Sequence, residues 1–152
     1  MEKTPTIRFL RLNPDKDGDI PLPCYMTPNS AGMDVYACLA KDVVVKPGDI
    51  ALIPTGFAVS IPEGFEIEIR PRSGLAVKHR IGLINSPGTI DSDYRGEIKI
   101  AVINHGNKDY TFKRKDRIAQ MLLKRVYQAK IELVESLEET KRGTGGFGHT
   151  GV

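Results

Sequence analysis

"FEIEI", residues 65 to 69, is the stretch that decides the fold. In an extended chain successive side chains point to opposite faces. Phe65, Ile67 and Ile69 therefore fall on one side and Glu66 and Glu68 on the other. This period of two indicates a half-buried strand. The signature returns in "EIKIAVI" (97–103), where Ile98, Ile100 and Val102 share a face. "DVVV" (42–45), "DIALI" (49–53) and "TGFAVSI" (55–61) are further strands. "KPGD" (46–49) and "IPEG" (61–64) read as the turns between them. Strands are also expected at 7–12, 33–38, 81–84, 118–125 and 126–134.

Helix is scarce. The best candidate is short, with Ser73 as N-cap and Gly74 to His79 following. Many short strands at regular spacing imply an all-β sandwich, barrel or jelly roll. No internal repeat or second domain is visible. From Glu135 onward, "ESLEETKRG" is charged and loses the apolar alternation. The expected division is a β-barrel body over 1–134 and a linker with a glycine-rich arm over 135–152. That arm ends in "RGTGGFGHTGV" (142–152), whose five glycines suit either a frayed end or a segment that closes over something.

Several function classes fall away on composition. The chain has 152 residues, 40% of them hydrophobic and 27% charged, which fits one ordinary globular domain. No apolar run approaches the ~20 residues that span a bilayer, and the start is not of signal-peptide type. Cys24 and Cys38 are too few for a disulfide framework, so a reducing cytoplasm is the expected setting. Net charge is a modest +3, and the one dense basic run, "KRKDR" (113–117), reads as a solvated loop. With no Trp and no aromatic residues interleaved with a basic stripe, neither a nucleic-acid nor a membrane partner is expected.

Three stretches have chemical potential. "RPRSGLAVKH" (70–79) combines guanidinium groups, a hydroxyl and a helix start, a set suited to phosphate oxygens or equally to a capped turn. "GLINSPGTIDSDYRGE" (82–97) reads as a hairpin around Ser-Pro-Gly. There Asn85 could read a base edge and an Asp could orient and deprotonate a water, although two acids beside Gly more often decorate a turn. In "DRIAQMLL" (116–123), Gln120 lies among apolar neighbours and needs a partner, either backbone or ligand. "DKDGD" (15–19) fails as a calcium loop because Ile20 and Met26 occupy the required Gly and Glu positions. His79, His105 and His149 lack zinc-ligand spacing, and there is no P-loop or nucleophile elbow.

The order of the stretches is more specific than any one of them. "AGMDVYA" (31–37), "PRSGLA" (71–76), "GTIDSDYRGE" (88–97), "DRIAQ" (116–120) and "RGTGGFGHTG" (142–151) closely resemble the five motifs of trimeric dUTPases. The resemblance implies a jelly-roll-like β fold with one short helix and a flexible C-terminal arm. It implies hydrolysis of dUTP to dUMP and pyrophosphate, which limits uracil in DNA and supplies dUMP for thymidylate synthesis. It also implies magnesium on the triphosphate and a homotrimer with shared active sites. By that resemblance Asp91 activates the attacking water, Tyr94 lies under the deoxyribose, and Asn85 pairs with uracil. Arg72, Ser73, Gly74 and Gln120 hold phosphates from a neighbouring subunit's side. Arg142 grips the γ-phosphate, Phe147 stacks on the base, and Thr150 completes the phosphate cage. Gly88, Ile90 and Gly148 join the substrate-binding set, and Asp34 supports the metal through water or a subunit contact. The rival readings are a dCTP deaminase and a non-catalytic nucleotide-binding protein on the same fold.

Overall fold

The structure, a computed structural model, describes residues 4–146. Twelve strands and two short helices are present among them. β1 (Arg8–Arg11) precedes α1 (Pro14–Asp17), β2 (Cys24–Tyr25), β3 (Met33–Tyr36), β4 (Val43–Val45), β5 (Ile50–Pro54), β6 (Phe57–Ser60) and β7 (Phe65–Arg70). α2 (Ser73–His79), β8 (Ile81–Leu83), β9 (Gly88–Ile90), β10 (Lys99–Asn104), β11 (Tyr110–Phe112) and β12 (Arg117–Arg125) complete the order. The largest sheet runs β2-β3-β12-β7-β9, a second runs β5-β10-β8, and two-stranded pairs join β1 to β6 and β4 to β11.

The alternation in "FEIEI" places its residues as expected. Ile67 and Ile69 are buried on the inner face of β7, and Glu66 and Glu68 point away. Ile98, Ile100 and Val102 meet them from the other side of one continuous core that also holds Val35, Phe57, Phe112 and Met121. Two fully buried polar side chains tie the layers together. Thr55 donates its hydroxyl to the Ile98 carbonyl at 2.5 Å. Asn104 donates to the Val45 and Lys108 carbonyls at 2.9 and 2.8 Å.

Four sequence expectations are corrected. The N-cap of α2 is Arg72, whose carbonyl accepts from the Ala76 amide at 3.0 Å, and Ser73 is the first helical residue. Residues 82–97 do not form a hairpin: β8 pairs with β10, whereas β9 pairs with β7 in the other sheet. The turn chemistry was local, but each strand finds a better apolar neighbour elsewhere. No strand forms over 126–134, where Ile131 and Leu133 are 94% and 102% exposed and the ladder ends at Arg125. Among the described residues the segment pairs with no strand of its own chain. Finally, α1 appears where no helix was expected, although Pro14 at its first position and Gly18 just beyond it are usual boundary signals.

The basic run is not simply solvated. The Arg114 guanidinium donates to Asp19 at 2.5 and 3.2 Å and to Asp17 at 3.2 Å, and the Lys115 ammonium lies 2.9 Å from Asp19. These contacts clamp α1 to the β11–β12 turn, and the two cations hold the Asp19 carboxyl well below the usual carboxylate range. Cys38 lies behind this clamp. Burial first, and then the neighbouring Asp17, push its thiol up to about 11.

Candidate active site

The middle strands of the large sheet position one group of the expected site residues. Asp34 of β3 and Arg70 of β7 both pair with Gln120 of β12, forming one row across three strands. Asp34 is 2% exposed, and its carboxylate needs compensation at that depth. Gln120 Nε2 donates to Asp34 Oδ1 at 3.2 Å, and Arg117 Nη1 donates to Oδ2 at 3.0 Å. The Arg72 Nε lies 3.6 Å from the same Oδ2, while Arg72 Nη1 donates to the Arg117 carbonyl at 2.9 Å. In this structure the Asp34 side chain is the partner of the Gln120 amide. One carboxylate thus orients two arginines and an amide, leaving a cationic cradle at the start of α2. Ser73 and Gly74 are exposed beside it, and among the described residues, apart from the helix's own backbone and the adjoining residues, nothing would meet a Cβ at Gly74.

β9 and the turn after it carry the second group. Gly88 pairs with Ile69, and half-buried Ile90 pairs with Ile67. A Cβ at Gly88 would come within 3.2 Å of the Asn85 amide nitrogen and 3.4 Å of Ile69 Cβ, so glycine lets the exposed Asn85 fold back over β9. Asp91 and Tyr94 share one turn, in which the Tyr94 amide donates to the Asp91 carbonyl at 3.2 Å. The Tyr94 hydroxyl donates onward to the Glu97 carbonyl at 3.1 Å, and Arg95 Nη1 donates to the Ser92 and Tyr94 carbonyls at 2.7 and 2.8 Å. The exposed Asp91 lines an open cleft of about 720 Å³ together with Glu63, Glu66, Asp93 and Arg95. Four carboxylates against one guanidinium make that cleft a poor host for phosphate by itself.

The two groups do not converge within one chain. Asp91 follows Ile90, whose partner Ile67 lies three residues back from Arg70, the partner of Gln120. That offset is about 10 Å along the strand and two strand spacings across, or roughly 14 Å in all. Arg142 lies in the C-terminal segment, where its Nε donates to the Gly145 carbonyl at 2.8 Å. Phe147, Gly148 and Thr150 lie outside the described residues. Sequence reasoning did not single out Arg117, although its place in "DRIAQ", three residues before Gln120, was a usable signal. It also passed over Gly96.

Comparison with known proteins places the chain in a family. The sequence matches the dUTPase family over residues 18–151. It is 54% identical over 152 residues to a deoxyuridine 5'-triphosphate nucleotidohydrolase of Desulfotalea psychrophila, covering 100% of both chains. It is 53% identical over 149 residues to the protein of that name from Syntrophotalea carbinolica, covering 98% of this chain and 99% of the other. Its fold superposes on a mutant dUTPase of Staphylococcus bacteriophage 80alpha, solved with dUpNHpp, at a TM-score of 0.80 and 26% identity, covering 97% of this chain and 99% of that one. The chain belongs to the dUTPase family.

Proposed function

We propose that the chain hydrolyses dUTP to dUMP and pyrophosphate by water attack on the α-phosphorus. The observation that carries this reading is an exposed Asp91 carboxylate on the same closed turn as Tyr94, alongside a separate cradle that Asp34 organises from Arg72 and Gln120. Asp91 takes the proton of the attacking water, a contribution of about 10²–10⁴ in rate for a well-placed base. Tyr94 packs under the sugar, and Asn85 reads the uracil edge. The Asn85–Gly88 wall excludes a 5-methyl group. Arg72, Ser73, Gly74 and Gln120 take the phosphates, with Arg142, Phe147, Gly148 and Thr150 closing over them from the arm. The body over 1–134 and the arm over 135–152 act as two functional parts of one subunit.

Magnesium supplies charge compensation on the triphosphate when bound. The residues present fit a metal carried by the phosphates. Among the described residues no three His, Cys, Asp or Glu side chains converge, and both Asp34 oxygens are already engaged by Gln120 and the arginines. Asp34 then acts toward the ion only through intervening water.

A homotrimer with shared sites is supported by two features. The Asp91 turn and the phosphate cradle of one chain are too far apart to act on one phosphorus. Tyr127, Ile131, Leu133 and Leu137, all odd-numbered, are 86% exposed or more, and a second copy supplies the surface they need. Both cysteines are free thiols, which suits a reducing cytoplasm, and among the described residues no helix is long and apolar enough to cross a membrane. The test of the assignment is Asp91→Asn. Turnover should fall by about 10²–10⁴ with dUTP binding and thermal unfolding preserved, whereas near-full kcat removes Asp91 as the base.

A further inference from the structure

We propose that Gly96 is the seat of the Tyr94 ring and so determines sugar specificity, an inference that rests on the proposed contact between Tyr94 and deoxyribose. A Cβ at residue 96 would overlap the Tyr94 hydroxyl oxygen outright and come within 2.6 Å of Cζ and 3.1 Å of Cε2. The ring therefore lies across the bare face of this glycine, and any other residue forces either the ring or the backbone to move.

The surroundings decide which one moves. Immediately after Gly96 the chain is stapled to the body. Glu97 Oε1 accepts from the Gly56 amide at 3.0 Å, and the Ile98 amide donates to the Phe57 carbonyl at 3.0 Å. The buried Thr55 hydroxyl donates to the Ile98 carbonyl at 2.5 Å, and Ile98 itself is fully buried in the core. Shifting this backbone would break several of these contacts together. Tyr94 is 43% exposed, and among the described residues its hydroxyl makes one hydrogen bond, to the Glu97 carbonyl, so the ring yields. A methyl group at 96 swings the ring off its seat while the turn keeps its course. The wall against a 2′-hydroxyl is then misplaced, and Asp91, on the other limb of the turn, stays where it is.

The test is a double-mutant cycle of Gly96→Ala and Tyr94→Ala, read as the ratio of kcat/KM for dUTP over UTP and by thermal unfolding. Each single variant should lower the ratio by about tenfold or more, the scale on which a rigid wall against one added group acts. The pair should be no worse than Tyr94→Ala, because the three atoms nearest the added methyl all belong to the Tyr94 ring and hydroxyl. If Tyr94→Ala loses the ratio and Gly96→Ala keeps it, the seat is refuted and the sugar contact stands. If Tyr94→Ala keeps the ratio, the sugar contact itself is wrong and the seat has no role in specificity. Should Gly96→Ala fold poorly, recovery in the double variant supports the ring as the obstacle, and absence of recovery overturns it.

Discussion

Replacing Asp34 with Ala should cost both stability and phosphate affinity, because this buried carboxylate anchors the cradle. The loss can be built from its contacts. A hydrogen bond to a charged acceptor, here the 3.2 Å bond from Gln120, contributes about 1.5–3 kcal/mol. The side chains of Arg72 and Arg117 are 23% and 42% exposed, so solvent screening limits each ion pair to roughly 0.5–1 kcal/mol. The total is about 2.5–5 kcal/mol, or a Tm lower by roughly 5–20 °C for a chain of this length at fixed protein concentration. Asp34→Asn keeps one acceptor for Gln120 and should lose about half as much. Freed of their anchor, Arg72 and Gln120 must be ordered by the substrate, so KM for dUTP rises in both variants and more steeply in the Ala variant. Differential scanning fluorimetry and steady-state kinetics on the same preparations provide both readouts. A Tm and a KM for Asp34→Ala that match the parent would refute the assigned role.

Two further perturbations address other parts of the molecule. Arg114 and Lys115 hold the Asp19 carboxyl below its ordinary value of 3.8, so its contribution is fully present above that pH and is lost as pH falls through the depressed folded value. Asp19→Asn should therefore be less stable than the parent at neutral pH, with the gap closing in acid; a gap that persists or widens in acid contradicts the clamp. Deleting residues 142–152 should leave the proposed trimer folded with severely reduced kcat, as measured by gel filtration and turnover, since the proposed body remains and the proposed arm is lost. Unaltered kinetics in that truncation remove the arm from the mechanism.

The fold was readable wherever a pattern is local. "FEIEI" and "EIKIAVI" alternate because one face of each strand meets the core, and both lie where the period places them. Pairing is a tertiary property, and there local reading failed. The Ser-Pro-Gly turn suggested a hairpin, yet β8 and β9 belong to different sheets. The alternation at 126–134 is genuine, but among the described residues the segment pairs with no strand of its own chain. Site residues followed the same division. Asp91 and Tyr94 are three apart in sequence and share a turn. The Asp34 cluster joins residues 83 and 86 positions apart, and Arg114 meets Asp19 across 95. No spacing rule reaches that far, so the carboxylate behind the cradle and the true partners of "KRKDR" became visible only in three dimensions.

The most direct measurement is pyrophosphate release, in magnesium, from a panel of dUTP, UTP, dCTP and dTTP. Rapid release from dUTP, with little from the other three and no ammonia from dCTP, is the predicted result. Ammonia from dCTP, or tight binding of dUTP without turnover, contradicts the assignment of Asp91, Tyr94 and Asn85 to the hydrolysis of dUTP.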